Sequence, residues 1–214
     1  MYNKSKTNEI ILFLFMNNSK NKVFLIRHAQ SLSNNGERTS SPENNLLTPT
    51  GINQAEELAK TISIKPSLII YSSYKRTYLT AEPLIKKYPQ TPHEEWDFIH
   101  EFTYLNREHC ANTTPQERKP LVINYWAKMD PNYSDGGNAE TFSNLIVRIK
   151  LMLSTIKDRP EENIFIFTHG QFIEATKIIL NNPFKTDTEI MKIFMRNDCG
   201  KTIKNCQITE LDGF

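Results

Sequence analysis

The stretch Val23-Phe24-Leu25-Ile26-Arg27-His28-Ala29-Gln30-Ser31 decides the fold. Its first four residues form a continuous apolar run bounded by β-branched side chains and too short for a helix. Such a run reads as a strand buried on both faces, the kind found in a parallel sheet covered by helices. It stops abruptly at a cation and an imidazole. The pattern recurs twice: Leu68 to Tyr71 gives way to Ser72-Ser73 with Arg76 close behind, and Ile164 to Phe167 ends at Thr168-His169-Gly170.

Helical periodicity fills the intervals. Thr48 can cap and Pro49 can open a helix bearing Ile52, Ala55, Leu58, Ala59 and Ile62. Ser72-Ser73 are candidate caps for one carrying Tyr74, Tyr78, Ala81, Leu84, Ile85 and Tyr88, in which Pro83 predicts a kink. Asn138 is a candidate cap for a long helix whose stripe runs from Ala139 and Phe142 through Leu145, Ile146, Ile149, Met152, Leu153 and Ile156. A fourth helix follows Gly170 through Phe172, Ile173, Thr176 and Leu180, and Lys192 to Arg196 and Thr202 to Leu211 read as closing edge strands. This order predicts an α/β three-layer sandwich with a mostly parallel central sheet and helices on both faces.

From about 91 to 137 the alternation fails, and Pro, Asn, Thr and charge are interspersed with Trp96, Phe98, Phe102, Tyr104, Tyr125 and Trp126. Aromatics need a surface to pack on, so the stretch reads as a cap inserted over the sheet rather than a linker. Residues 22–214 are thus expected to form one domain with a cap insertion at about 91–137, preceded by an N-terminal extension over 1–21. The apolar run Ile10 to Met16 in that extension is seven residues long, too short to span a bilayer, and lacks a small-residue cleavage site. Met16 offers an internal start.

At 214 residues the chain can bury a core without staples, and 38% hydrophobic against 23% charged residues marks a folded rather than a disordered protein. Its 26 basic and 24 acidic residues leave a net charge of +2, which gives no electrostatic case for nucleic-acid binding. Cys110, Cys199 and Cys206 are odd in number and have no CxxC spacing, so buried thiols in a reducing compartment are expected. The chain reads as cytoplasmic, with no membrane partner.

Three strands ending in Arg27-His28, in Ser72-Ser73 with Arg76, and in His169-Gly170 bring two arginines and two histidines to one edge. Ligands of open α/β sheets bind at the carboxyl ends of strands, where helix N-termini favour anions. The joint placement describes a phosphate site. Gly136-Gly137 lies outside any GxxxxGK[ST] and reads as a turn, and His93, His100, His109 and Cys110 lack metal-site spacing.

The string Leu25-Ile26-Arg27-His28-Ala29-Gln30-Ser31 with Asn34 resembles the RHG signature of the histidine phosphatase superfamily, the phosphoglycerate mutase-like fold. Leu47-Thr48-Pro49-Thr50-Gly51-Ile52-Asn53-Gln54-Ala55, Ser72-Ser73 with Arg76 and Thr80-Ala81, and Thr168-His169-Gly170 fit further elements in order, over about Lys22 to Leu211. Ala29 stands where the signature usually carries Gly. The resemblance implies that His28 is the nucleophile and forms a phosphohistidine, while Arg27, Arg76 and His169, with Gly170 beside them, hold the phosphoryl group. His28 must attack as a neutral imidazole, which requires an acceptor for its other nitrogen, and a backbone carbonyl between 28 and 36 is expected to supply it. Asn34 and Ser31 are either secondary phosphate contacts or an Asx or Ser turn that stabilises the loop.

The branch of the family that places the acid directly after the second histidine does not fit, since Gly170 and Gln171 occupy those positions. In the mutase-like branch the acid is a Glu after the second arginine, and Glu101 is similar in placement. The string Trp96-Asp97-Phe98-Ile99-His100-Glu101-Phe102 surrounds it with apolar groups that favour a protonated carboxyl. Glu94, Glu95 and Asp97 are the competitors. Arg107, Arg118 and Lys119 in the cap either contact an anionic substrate tail or are solvated.

The resulting expectation is a phosphomonoesterase that needs no metal or other cofactor and acts on a small phosphorylated metabolite. The alternatives are a phosphoglycerate mutase-type phosphotransferase and a non-catalytic phosphate-binding regulator. The string Glu101-Phe102-Thr103-Tyr104-Leu105 differs from the mutases' Asn-Glu-Arg-His-Tyr-Gly. Oligomeric state and physiological substrate are left open.

Overall fold

The computed structural model describes residues 21–211. The extension, apart from Asn21, and the Ile10 to Met16 run within it lie outside the described residues. Five strands form one sheet: β1 (Lys22–Arg27), β2 (Leu68–Ser72), β3 (His93–Trp96), β4 (Asn163–Thr168) and β5 (Ile208–Leu211). Their spatial order is β3-β2-β4-β1-β5, and every neighbouring pair is parallel except β1 with β5.

Strand alternation divides the core into two layers. Val23, Leu25, Leu68, Ile70, Ile164 and Ile166 face one way, onto helices α5 (Phe142–Lys157), α6 (Gly170–Asn181) and α7 (Asp187–Arg196). Phe24, Ile26, Ile69, Phe165 and Phe167 face the other, onto α1 (Pro49–Thr61) and α2 (Lys75–Lys87). A sheet with apolar side chains on both faces must be covered twice, which is why three layers form. The cap contributes a short helix, α3 (Arg107–Cys110), and a longer one, α4 (Pro115–Ala127). Phe102, Tyr104, Tyr125 and Trp126 pack there in tilted and edge-to-face contacts at centroid distances of 4.6–6.4 Å and continue onto Phe142 and Phe194 of the core.

Several boundaries differ from those read in the sequence. Lys192 to Arg196 is not an edge strand but the end of α7, where Thr186 and Glu189 form a reciprocal capping box and Ile190, Met191 and Phe194 share the buried face. The five-residue window hid that period. Of Thr202 to Leu211, only Ile208–Leu211 is strand. The long helix starts at Phe142 under a Thr141 cap rather than at Asn138. Pro83 lies inside α2 without ending it, and neither Ser72 nor Ser73 caps that helix, since Tyr74 holds the cap position. Within the stretch read as a cap, His93–Trp96 is a sheet strand beside β2. Ile52 is 51% exposed, and all three cysteines are half-buried free thiols rather than fully buried ones. Among the described residues, no helix is long and apolar enough to cross a membrane.

Thr48 and Pro49 open α1 as expected, and the Thr48 hydroxyl accepts the Gly51 N–H at 3.0 Å. That end of the helix is pressed against the 28–31 loop, so a Cβ on Gly51 would lie 2.1 Å from the Gln30 carbonyl oxygen. Two backbone segments cannot both stay in place around it. Gly51→Ala is therefore expected to lower stability by about 1–3 kcal/mol through overpacking, read as a lower urea midpoint. An unchanged midpoint would show that the contact yields without cost.

Candidate active site

Parallel pairing of β1 with β4 puts Arg27 level with Thr168, and the His28 N–H donates to the Thr168 carbonyl at 3.0 Å. His28 and His169, the next residue on each chain segment, meet edge to face with ring centroids 5.2 Å apart. Strand β2 flanks β4 on its other side and delivers Ser72, followed by the first turn of α2 with Arg76. His28, Arg76 and His169 are all buried.

Hydrogen bonding assigns each imidazole a tautomer. His28 Nδ1 lies 2.7 Å from the Ala29 carbonyl oxygen. A carbonyl only accepts, so Nδ1 carries the proton and Nε2 keeps its lone pair. The expected acceptor is thus the adjacent residue, whose own N–H donates to Thr80 Oγ1 at 2.9 Å. Ala29 has a negative φ, so it fits where the family pattern has Gly. His169 takes the opposite tautomer. Arg76 Nη2 donates to its Nδ1 at 3.0 Å, so the ring proton sits on Nε2 and is donated to Ser72 Oγ at 2.8 Å. Ser72 in turn donates to Thr77 Oγ1 at 2.9 Å, and Thr77 donates to the carbonyls of Ser72 and Tyr74. This chain of hydroxyls ends on backbone acceptors and is complete.

Both imidazoles are held well below the usual histidine range. Burial is the main cause for each, followed by the Arg76 charge, with Arg27 adding to it at His28. Arg76 is lowered to about 10 by burial, against which Glu101 pulls upward. Its Nη1 donates to the Pro42 carbonyl at 2.6 Å. Arg27 donates through Nη1 to the Ile203 carbonyl, while its buried Nε has no hydrogen-bond partner among the described residues. Gly170 opens α6 beside it: a Cβ there would lie 3.1 Å from the Gly200 carbonyl oxygen and 3.3 Å from Arg27 Nε.

Glu101 belongs to the same cluster. Its carboxyl accepts the Phe102 N–H at 3.1 Å, and the backbone of Gln171 at the start of α6 helps to hold its pKa down. Burial raises it above the ordinary carboxyl range, opposed chiefly by Arg76 and then by the Phe102 N–H and Arg27. The competitors stand elsewhere. Glu94 pairs with Arg159 at 2.5 Å, Asp97 accepts from Ser73, and exposed Glu95 lies on the edge strand.

Arg76 and Glu101 form part of the wall of a cavity of about 580 Å³ between the 33–45 loop and the cap. The two histidines are not among the residues that line it. Asn34 lines the cavity, but its Oδ1 accepts from the Ser31 N–H, Ser31 Oγ and Asn205 Nδ2, each at 3.2 Å. Ser31 is buried, its hydroxyl shared with Asn45, and it does not line the cavity. Both residues brace the loop in this structure. Arg107 and Arg118 reach the cavity wall, Arg107 paired with Glu43 at 2.7 Å, whereas Lys119 faces a separate groove on α4. His93, His100, His109 and Cys110 are not gathered, and no group of three potential metal ligands occurs among the described residues.

Two participants escaped the sequence reading. Glu43 sits in a polar loop with no periodicity to mark it. Tyr74 was legible only as one apolar residue of a helix. Its ring packs edge-on to His169 at 5.2 Å and carries Arg76 over its face at 4.9 Å.

Neutral buried histidines set a sign for pH dependence. Their folded pKa lies below the unfolded value of about 6.5, so between the two the unfolded chain binds more protons. Their contribution to stability is complete above that value and is lost as pH falls beneath it. The urea midpoint of the wild type should therefore drop between about pH 7.5 and pH 5.5, and drop less in His28→Asn. Equal drops would mean that His28 is not held neutral by the fold.

Comparison with known proteins agrees with this geometry. A family model described as histidine phosphatase superfamily (branch 1) matches residues 23–199, and no curated protein matches the chain by sequence. Among solved structures, a mycobacterial glucosyl-3-phosphoglycerate phosphatase in complex with VO3 superposes with a TM-score of 0.69 at 18% identity, covering 90% of this chain and 91% of that one. A phosphoserine phosphatase from Entamoeba histolytica, in complex with 3-phosphoglyceric acid, gives 0.65 at 19%, covering 89% of each. An alpha-ribazole phosphatase from Shigella flexneri gives 0.62 at 18%, covering 76% and 83%. Such identities report a shared fold, and the family model spans the elements that build the site. The chain belongs to branch 1 of the histidine phosphatase superfamily.

Proposed function

We propose that the chain is a phosphomonoesterase that hydrolyses a small phosphorylated metabolite through a phosphohistidine at His28, with no metal ion. One observation carries the reading: the Nδ1–H of His28 is tied to the Ala29 carbonyl, which leaves the lone pair on Nε2, and burial holds the ring well below the usual histidine range. Membership of a phosphatase superfamily and the phosphatase names of the structural relatives support it. The cavity volume of about 580 Å³ is in the range of a small-molecule site.

In the first half-reaction, the Nε2 lone pair attacks phosphorus and the bond from phosphorus to the ester oxygen breaks. Arg76, Arg27 and the positive end of α6 supply the donors for the three equatorial oxygens, and the buried Nε of Arg27, without a partner among the described residues, is free to serve one of them. The phosphate dianion, a stronger acceptor than a carbonyl, draws Arg76 Nη1 away from Pro42. Protonated Glu101 gives its proton to the leaving oxygen. In the second half-reaction, Glu101 takes a proton from water as the water oxygen attacks phosphorus. The phosphorus–nitrogen bond breaks, its electron pair returns to Nε2, and inorganic phosphate is released.

An alkoxide needs that proton, whereas p-nitrophenolate scarcely does. Glu101→Gln should therefore slow phosphorylation of His28 by an alkyl phosphate about a hundredfold or more, and by p-nitrophenyl phosphate far less, in single turnovers. Equal losses would leave Glu101 merely positional. Cationic side chains supply the charge stabilisation here, so EDTA should leave turnover unchanged. Activity lost to the chelator and restored by a divalent ion would contradict this.

A further inference from the structure

Between the 3-10 turn Asp97–Ile99 and α3, the segment carrying Glu101 has no regular structure, yet one ion pair grips it on both sides. Glu140 and Arg148 meet as a fork, Nε to Oε1 at 2.6 Å and Nη2 to Oε2 at 2.8 Å, with side chains only 9% and 14% exposed. The remaining nitrogen, Nη1, donates to the Phe98 carbonyl at 2.7 Å and the His100 carbonyl at 3.1 Å. On the far side of Glu101, the Glu140 N–H donates to the Thr103 carbonyl at 2.9 Å, and Glu140 Oε2 accepts the Thr103 N–H at 3.4 Å. Residues 98, 100 and 103 are thus tied to a single pair. The Phe172 ring, 5.5 Å from the guanidinium carbon, packs against the fork.

His100 extends the grip to Glu101 itself. Its Nδ1–H donates to the Glu101 carbonyl at 2.7 Å, and its ring stacks on Tyr74 at 5.5 Å and 15°. Burial, then Arg148, lowers its pKa, which keeps it neutral in that role.

A buried ion pair adds little net stability over apolar replacements, but a planar fork fixes position in a way that no apolar contact does. We infer that Glu140 and Arg148 are positioning residues for proton transfer: they set where the Glu101 carboxyl stands relative to Arg76 and Arg27. This rests on the reading of Glu101 as the acid. Lys at 148 keeps the charge but cannot span a carboxylate and two carbonyls, and Gln at 140 keeps the shape but loses the charge.

The test is the ratio of His28 phosphorylation rates with an alkyl phosphate and with p-nitrophenyl phosphate, in single turnovers of the full chain. Arg148→Lys is expected to lower the alkyl-to-aryl ratio about tenfold or more, and in combination with Glu101→Gln to lower it no further than Glu101→Gln alone. If Arg148→Lys does not fold, Glu140→Gln reads the same ratio. A folded variant with an unchanged ratio, or an added loss in the double variant, overturns the inference while leaving Glu101 as the acid. An unchanged ratio in Glu101→Gln itself removes both.

Discussion

The register in which β1 lies beside β4 governs everything at the site. Arg27 opposite Thr168 brings His28 and His169 to the same level of the sheet edge, and the His28 N–H bond to the Thr168 carbonyl holds that level one residue beyond the strand. A slip by one residue would turn Val23 and Leu25 toward α1 and α2 and bring Phe24 and Ile26 to the opposite layer. The two-sided core thus fixes the separation of the imidazoles. Stability and chemistry depend here on the same hydrogen-bond ladder.

Burying two histidines and an arginine together is costly unless each polar atom has a partner. Unlike tautomers meet most of that demand. His28 donates from Nδ1 to its neighbour's carbonyl and keeps its lone pair on Nε2. His169 donates from Nε2 into the Ser72 and Thr77 hydroxyls, while Arg76 occupies its other nitrogen. Two chemically identical side chains 5.2 Å apart are thereby made different. Of the two, His28 alone keeps an unshared pair with no donor on it among the described residues.

Much of this was legible because chemistry-bearing residues ended apolar runs. Arg27-His28 and His169-Gly170 follow buried strands directly, and Thr48-Pro49 is a local cap that owes nothing to distant contacts. What escaped depends on distance or on window length. The Ser72 hydroxyl read as a helix cap but is drawn away to His169, 97 residues on. The end of the helix at Arg196 reads as a strand in isolation because its amphipathic period needs residues before Lys192 to appear. Glu43 reaches the site from an irregular loop, positioned by Arg107 of the cap, and no local pattern encodes such a meeting. Ser31 and Asn34, equally consistent with phosphate binding or loop bracing in the sequence, lie in a network that braces the loop.

Under the proposed mechanism, backbone hydrogen bonding decides which nitrogen of His28 attacks. Phosphoenzyme formed from p-nitrophenyl phosphate, trapped by alkaline denaturation and examined by phosphorus and nitrogen NMR with labelled histidine, reads that choice directly. The expected product carries the phosphoryl group on Nε2 of His28, with Nδ1 unmodified. A phosphoryl group on Nδ1, or on any other residue, or turnover with no phosphohistidine at all, would contradict the account.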